Sequence, residues 1–243
     1  MKKRLIRRVA VCLLIMIGII GMSATLEANA TEGINCKIII GDSRTTGIIF
    51  TLRNDKNAVE IYSKEKDAAF DSIFVKDNTI LVLCSQGGGS YRNGACDRTF
   101  SRALELLRTQ DVLKNCSGYS FYNLFGFNDV FLDPMNCSNS PGAYILRDKE
   151  YADKIGKCMS VYQFNAGPID ESGTASWKYC VTNALVAQYN QGFVGNSRVS
   201  VVDLNGYLYK EGYKGSFTED DDSGIHYDSN TSKKIINLLM TLQ

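Results

Sequence analysis

Short apolar runs alternate with stretches of helical apolar spacing along most of the chain, and this alternation leaves few folds open. Lys37–Gly41 (KIIIG), Thr79–Cys84 (TILVLC), Tyr119–Phe125 (YSFYNLF), Met159–Phe164 (MSVYQF) and Val199–Asp203 (VSVVD) read as strands buried on both faces. Arg98–Arg108, Ala143–Lys157, Thr182–Tyr189 and Ser232–Leu242 repeat apolar residues at the helical period. Strand, helix and strand in succession predict a three-layer α/β/α sandwich around a five-stranded parallel sheet. The chain has only 3 prolines and no linker tract, so residues 31–243 read as one domain. In an open parallel sheet, chemistry gathers at the carboxyl ends of the strands. The residues that follow each run are therefore the ones to search for function.

The first thirty residues do not belong to that pattern. Lys2, Lys3, Arg4, Arg7 and Arg8 form a positive head, Val9–Met22 is apolar, and Ala28-Asn29-Ala30 supplies small residues at a cleavage spacing. This predicts a signal peptide over residues 1–30 and a mature chain beginning near Thr31, outside the cytoplasm and free of the membrane. The alternative is an uncleaved anchor.

Export bears on the seven cysteines of the mature chain, Cys36, Cys84, Cys96, Cys116, Cys137, Cys158 and Cys180. An oxidising compartment favours pairing. Cys116 and Cys158 each precede an apolar run, which puts them at the same sheet edge and makes them the expected bridge; Cys84 is expected to remain a buried free thiol. No pair has CxxC spacing and the chain has a single histidine, so no metal site is expected. The net charge is +1 and no basic stripe with interleaved aromatics occurs, which argues against a nucleic-acid partner.

Four strand ends carry candidate chemistry. Gly41-Asp42-Ser43-Arg44-Thr45 follows the first run. A serine at a strand-to-helix turn, with the positive helix start behind it, suits a nucleophile whose attack creates an oxyanion; the same residues also make a serviceable turn and N-cap. Ser85-Gln86-Gly87-Gly88-Gly89-Ser90 follows the second run and matches neither a dinucleotide fingerprint nor a P-loop. Its glycines let a backbone N–H approach a ligand, or simply make a surface loop. Gly126-Phe127-Asn128-Asp129 offers an Asn side chain as an oxyanion donor or an Asx turn. Asp220-Asp221-Asp222-Ser223-Gly224-Ile225-His226 holds the only histidine. A serine hydroxyl needs a base, and a histidine base here can only be His226. The acidic run before it could orient the imidazole, form a solvated loop or bind calcium weakly.

These blocks, in this order, resemble those of the SGNH (GDSL-like) hydrolase superfamily, over essentially the whole mature chain. The likeness rests most on "GDSRTTG" and "GFND". It implies the flavodoxin-like SGNH fold and a two-step acyl transfer without metal or organic cofactor. In that scheme Ser43 is the nucleophile and His226 the base. The Ser43 N–H, a backbone N–H of the Gly87–Ser90 loop taken as that of Gly89, and the Asn128 side chain form the oxyanion hole. The family places Asp three residues before His, a position held here by Ser223. "DDSGIH" reads as the usual block with one residue inserted, which passes the role to Asp222, with Asp221 as fallback. Failing both, a Ser43/His226 dyad oriented by a backbone carbonyl would remain.

The expected substrate is a small ester or an O-acetylated carbohydrate. A thioesterase, a lipase, an acyltransferase or a glycan-binding module without turnover on the same fold are the alternatives. Oligomeric state is left open. Arg44 sits in a first helical turn, where a cation opposes the helix dipole. Its expected partner is a carboxylate, Asp42 or Asp129, or else an anionic substrate. Tyr91, Phe127, Phe131 and Tyr227 stand near the proposed rim, either stacking on sugar rings or packing beneath loops.

Overall fold

A computed structural model describes residues 34–132, 140–216 and 221–242; the expected signal peptide, 1–30, and Cys137 lie outside them. Strand β1 (Ile34–Gly41) turns into helix α1 (Ser43–Arg53), and a hairpin of β2 (Ala58–Lys66) and β3 (Ala69–Lys76) leads to β4 (Thr79–Gln86). Then come α2 (Ala95–Thr109), β5 (Cys116–Asn123), α3 (Phe127–Leu132), α4 (Ser140–Ile155) and β6 (Cys158–Phe164). The short α5 (Thr174–Lys178) and α6 (Asn183–Asn190) precede β7 (Ser200–Val202), α7 (Leu204–Glu211) and α8 (Ser229–Thr241).

The sheet has seven strands in the order β2-β3-β4-β1-β5-β6-β7. The five expected strands are β4, β1, β5, β6 and β7, and β1–β4, β5–β6 and β6–β7 are parallel. The expected count of five is corrected by the β2–β3 hairpin, which adds two antiparallel strands beyond β4. Strand β2 (AVEIYSKEK) is an edge strand whose residues are exposed or only half-buried, so it lacks the continuous apolar run of a central strand. Its boundaries are set by residues that tolerate left-handed backbone: Asp67 (φ 54°) turns β2 into β3, and Asp77 (47°) with Asn78 (60°) turns β3 into β4.

Alternation along the strands sends side chains to two helical layers. Ile39 joins Ile48, Ile49 and Leu52 of α1, Leu204 and Leu208 of α7, and Ile235, Ile236 and Leu239 of α8. On the other face Phe100 of α2 stacks on Tyr151 of α4 at 3.9 Å and meets Phe121 of β5 edge-on. Lys37, wholly buried on β1, donates from Nζ to the carbonyls of Leu239 (2.7 Å) and Leu242. A cation at the last turn of α8 satisfies carbonyls that lack intrahelical donors and complements the helix dipole; burial pushes its pKa down to about 8.

Cys36 of β1 is joined to Cys116 at the start of β5. The expected Cys116–Cys158 bridge is therefore wrong. Cys158 lies opposite Tyr119 in the β5–β6 register, and its thiol turns to the Ser160 carbonyl at 3.4 Å. Cys84 is a buried free thiol, as expected; Cys96, Cys158 and Cys180 are also unpaired. No helix among the described residues is long and apolar enough to cross a membrane.

Candidate active site

The turn from β1 into α1 has no room for a side chain at its first position. A Cβ at Gly41 would stand 1.9 Å from Thr45 Oγ1. Asp42 then caps the helix, its Oδ1 accepting from the Arg44 N–H at 3.0 Å, and Ser43 opens the first turn. Asp42 is almost wholly buried, and burial raises its carboxyl above the usual range while Arg44 pulls it back. Ser43 thus stands at the carboxyl edge of a central strand, with an N–H that has no acceptor within its own helix.

His226 reaches it from the other end of the chain. Its Nε2 lies 2.8 Å from Ser43 Oγ. The carboxylate at Nδ1 is that of Asp221, and not of Asp222, which corrects the expectation. Asp222 is exposed and accepts from the Thr174 hydroxyl at 2.9 Å. The reason is Ser223, whose N–H (3.1 Å) and hydroxyl (2.6 Å) both donate to Asp221 Oδ1. Folding the loop back in this way turns Oδ2 toward the imidazole. Burial, the largest influence on Asp221, raises its pKa, but the bonds from Ser223 and His226 outweigh it and leave the carboxyl below its ordinary value.

The loop itself is held at successive carbonyls. Those of Asp222, Ser223 and Gly224 accept from the N–H groups of Thr174, Ala175 and Asp170, and that of His226 from Ser216 N–H. Gly224 (φ +75°) is required here, because a Cβ would stand 2.3 Å from the Asp170 carbonyl. The remaining carbonyl, that of Ile225, accepts from Arg44 Nε at 2.7 Å.

Arg44 therefore meets neither expectation. Among the described residues its guanidinium is bonded to no carboxylate, and it is not free for an anion: Nη1 and Nη2 donate to the carbonyls of Gly167 (3.0 Å) and Pro168 (3.1 Å). Its plane lies between the rings of Phe127, at 3.7 Å, and Tyr227, at 4.5 Å. A planar fork with several donors suits this position, where a lysine would satisfy fewer carbonyls. Arg44 ties the Ser43 turn to the residue before His226 and to the ring beside Asn128. Phe127 and Tyr227 are accordingly buried packing residues. Phe131 packs on Tyr179, and Tyr91 on Tyr144.

Asn128 is buried, with Nδ2 donating to the Gly89 carbonyl at 2.9 Å. The Gly89 N–H, expected to face an oxyanion, is instead donated to the Gln86 carbonyl at 3.0 Å and closes a turn. Within this loop Gly87 donates to Ala68, Ser90 to Asn93 Oδ1 and Tyr91 to Asp129 Oδ2. Among the described residues the Gly88 N–H has no acceptor.

Ser43, Arg44, Asp221 and His226 line a cavity of about 430 Å³, which runs along α1 past Thr46, Thr51 and Asn54. Phe50 and Phe70 face each other edge-on at 5.4 Å and also line it, with Ser216, Ser229 and Ser232. Asn128 and Gly89 do not belong to its wall. Phe70 and Ala68 come from the hairpin, so this wall was invisible to a reading that saw only five strands. No group of three or more His, Cys, Asp or Glu able to hold a metal ion occurs among the described residues. Chemically, a hydroxyl bonded to an imidazole whose other nitrogen is held by a carboxylate can pass its proton to that ring as it attacks an electrophile.

No protein-family model and no curated protein matches the chain. Among solved structures it is similar to a lipase/acylhydrolase from Enterococcus faecalis, at 14% identity over 84% of this chain and 92% of that one, TM-score 0.45. It is similar also to an acetyl xylan esterase, at 14% identity over 84% and 98%, TM-score 0.43. A peptidoglycan O-acetylesterase is similar at 8% identity over 89% and 93%, TM-score 0.44.

Proposed function

We propose that this protein is a serine ester hydrolase of the SGNH type that removes O-acetyl groups from carbohydrate outside the cytoplasm. The observation that carries the reading is the continuous chain of bonds Asp221–His226–Ser43 at an open cavity. His226 Nε2 takes the Ser43 proton as Oγ attacks the ester carbonyl. Asp221 keeps the imidazole in the tautomer with hydrogen on Nδ1 and stabilises the imidazolium that forms. The developing oxyanion is held by the Ser43 N–H, by an amide proton of Asn128 and by Gly88, the loop amide left without an acceptor. The alcohol departs with the proton from His226. Water, deprotonated by the same ring, then attacks the acyl-enzyme and releases acetate.

The substrate class rests on the cavity lining. Hydroxyls of Thr46, Thr51, Ser216, Ser229 and Ser232 and the Asn54 amide surround the Phe50 and Phe70 rings. Polar groups around an aromatic platform suit a polyhydroxylated leaving group. The Cys36–Cys116 bridge supports an extracytoplasmic location, as does the expected signal peptide.

Ser43→Ala tests the reading. The variant is expected to fold normally, to lose turnover of aryl acetates and acetylated oligosaccharides, and to lose labelling by a fluorophosphonate. Turnover of an aryl acetate at the wild-type rate would remove Ser43 from the mechanism.

A further inference from the structure

A second cavity, of about 340 Å³, is lined by Lys64, Lys66, Asp67, Ala69, Asp71, Gln86, Arg98 and Arg102. Its composition follows from two periodicities. Lys64 and Lys66 are two apart on β2 and so share a face of the sheet, and Lys64 stands opposite Asp71 on β3. Arg98 and Arg102 are four apart on α2 and so share a face of that helix. Four cations thus converge on a concavity that holds two carboxylates. One of these is already engaged: Asp71 Oδ1 accepts from Arg102 Nε at 2.9 Å, while Arg102 Nη2 donates to the Ser85 carbonyl at 2.6 Å. Among the described residues Lys64, Lys66 and Arg98 have no carboxylate within ion-pair distance; Arg98 Nη1 donates to the Asn93 carbonyl.

Lysines on an edge strand guard it against pairing with other chains, but that role does not call for two arginines facing them from a helix. Unneutralised cations around a low-dielectric hollow raise its potential and attract anions. Arg102, paired with Asp71 and bonded to Ser85 and Gln86, is a fixed part of the wall, while Lys64, Lys66 and Arg98 supply the charge open to a carboxylate or phosphate.

The position relates this hollow to the first. Ala68 and Phe70 line the Ser43 cavity; Asp67, Ala69 and Asp71, alternating with them along the same stretch of chain, line the basic one. Successive side chains of an extended strand point to opposite faces of the sheet, so the two hollows lie on opposite faces at the hairpin end, around a tip that the Gly87 N–H anchors at the Ala68 carbonyl at 2.8 Å.

We propose that the Lys64/Lys66/Arg98/Arg102 hollow is a binding site for an oxyanion, a carboxylate or phosphate carried by an acidic polymer whose ester group lies at Ser43. The inference extends the esterase reading by giving the substrate a negative charge. The charge that recognises an anion is then not Arg44, which backbone carbonyls consume.

The test uses the whole protein and the variant Lys64→Gln/Lys66→Gln/Arg98→Gln, which leaves Arg102 and its structural bonds intact. Binding of oligogalacturonate, of polyphosphate and of a neutral xylo-oligosaccharide is measured by calorimetry at low and high salt. Wild type is expected to bind at least one of the two anions about tenfold more tightly than the variant does, the loss from two or three partly exposed charge contacts. That difference should shrink with salt, and neutral sugar should bind both proteins alike. Loss for oligogalacturonate alone assigns a carboxylate, for polyphosphate alone a phosphate, and for both the shared oxyanion chemistry. Equal binding of each anion to wild type and variant overturns the proposal. Turnover of an aryl acetate, too small to reach the hollow, is expected to be the same in both proteins. If wild type has none, the esterase reading fails while calorimetry still decides the anion site.

Discussion

Ser223 stands three residues before His226, and it shapes the loop that brings Asp221 to the imidazole. Both its N–H and its hydroxyl hold Asp221 Oδ1, while Oδ2 meets His226 Nδ1. Asp221→Asn would present an amide where the ring needs an acceptor and favour the wrong tautomer, so kcat is expected to fall by about 10³–10⁴-fold. Asp222→Asn, altering an exposed carboxylate bonded to Thr174, is expected to stay within about twofold on the same acetyl esters. The reverse order of effects would mean that the loop rearranges when substrate binds. Because the Asp221 carboxyl sits below its ordinary pKa, its stabilising effect is complete above the unfolded value of about 4 and is lost as pH falls through the folded one. The Tm gap between wild type and Asp221→Asn should narrow below about pH 4. Arg44→Lys is a second test at this scale. It keeps the charge but loses most of a three-carbonyl fork, at a cost of about 2–3 kcal/mol. Both Tm and kcat should drop, and anion affinity should not. His226 was legible in the sequence because it is the only histidine, and Ser43 because it stands where an apolar strand run turns into a helix. The choice between neighbouring aspartates was not, since it depends on which way a side-chain-capped loop folds back.

At the scale of elements, the central strands declared themselves through continuous apolar runs, and α2, α4, α6 and α8 through their period. The hairpin did not, because β2 is an edge strand whose alternating polar residues look like a loop, and its turns depend on Asp and Asn at positive φ. That omission hid Phe70 and the whole basic hollow. Helix α4 contains a different surprise. Asp148 is wholly buried, with Oδ1 accepting from Asn123 Nδ2 at 2.7 Å and Oδ2 unpartnered among the described residues. Burial lifts its pKa well above the usual range and so favours the protonated carboxyl in the folded protein, against the bond from Asn123 that lowers it. The unfolded chain ionises near pH 4, so folding then binds a proton and stability falls as pH rises from there toward the folded pKa. The slope is at most about 1.4 kcal/mol per pH unit. Asp148→Asn removes that dependence. Its Tm should match wild type near pH 4 and exceed it increasingly as pH rises from there; a parallel pair of Tm curves would mean that burial does not raise the Asp148 pKa.

Across the whole molecule, the sheet edge that carries Ser43 is assembled from distant parts of the chain. Strand β1 supplies the serine turn, β4 the glycine loop, β5 the approach to Asn128, and the segment before α8 the histidine. Among the described residues the one disulfide in this assembly is Cys36–Cys116, spanning 80 residues and enclosing α1, the hairpin, β4 and α2. A loop of that length loses enough unfolded-state entropy on closure to stabilise the fold by about 4.5 kcal/mol in the chain-entropy account. For a chain of this size that corresponds to roughly 10 °C or more in Tm. The cystines were legible only as a set: seven thiols in a chain expected to be exported predicted pairing, but Cys36 and Cys158 are both plausible partners for Cys116 until the fold assigns its sulfur to β1. Cys36→Ala/Cys116→Ala should therefore lower Tm by about that amount, and dithiothreitol should lower the wild-type Tm while leaving the variant unchanged. Cys158→Ala should respond to reductant as wild type does. If Cys158→Ala alone abolished the reductant effect, the bridge would lie between β5 and β6, and no disulfide would enclose the serine turn.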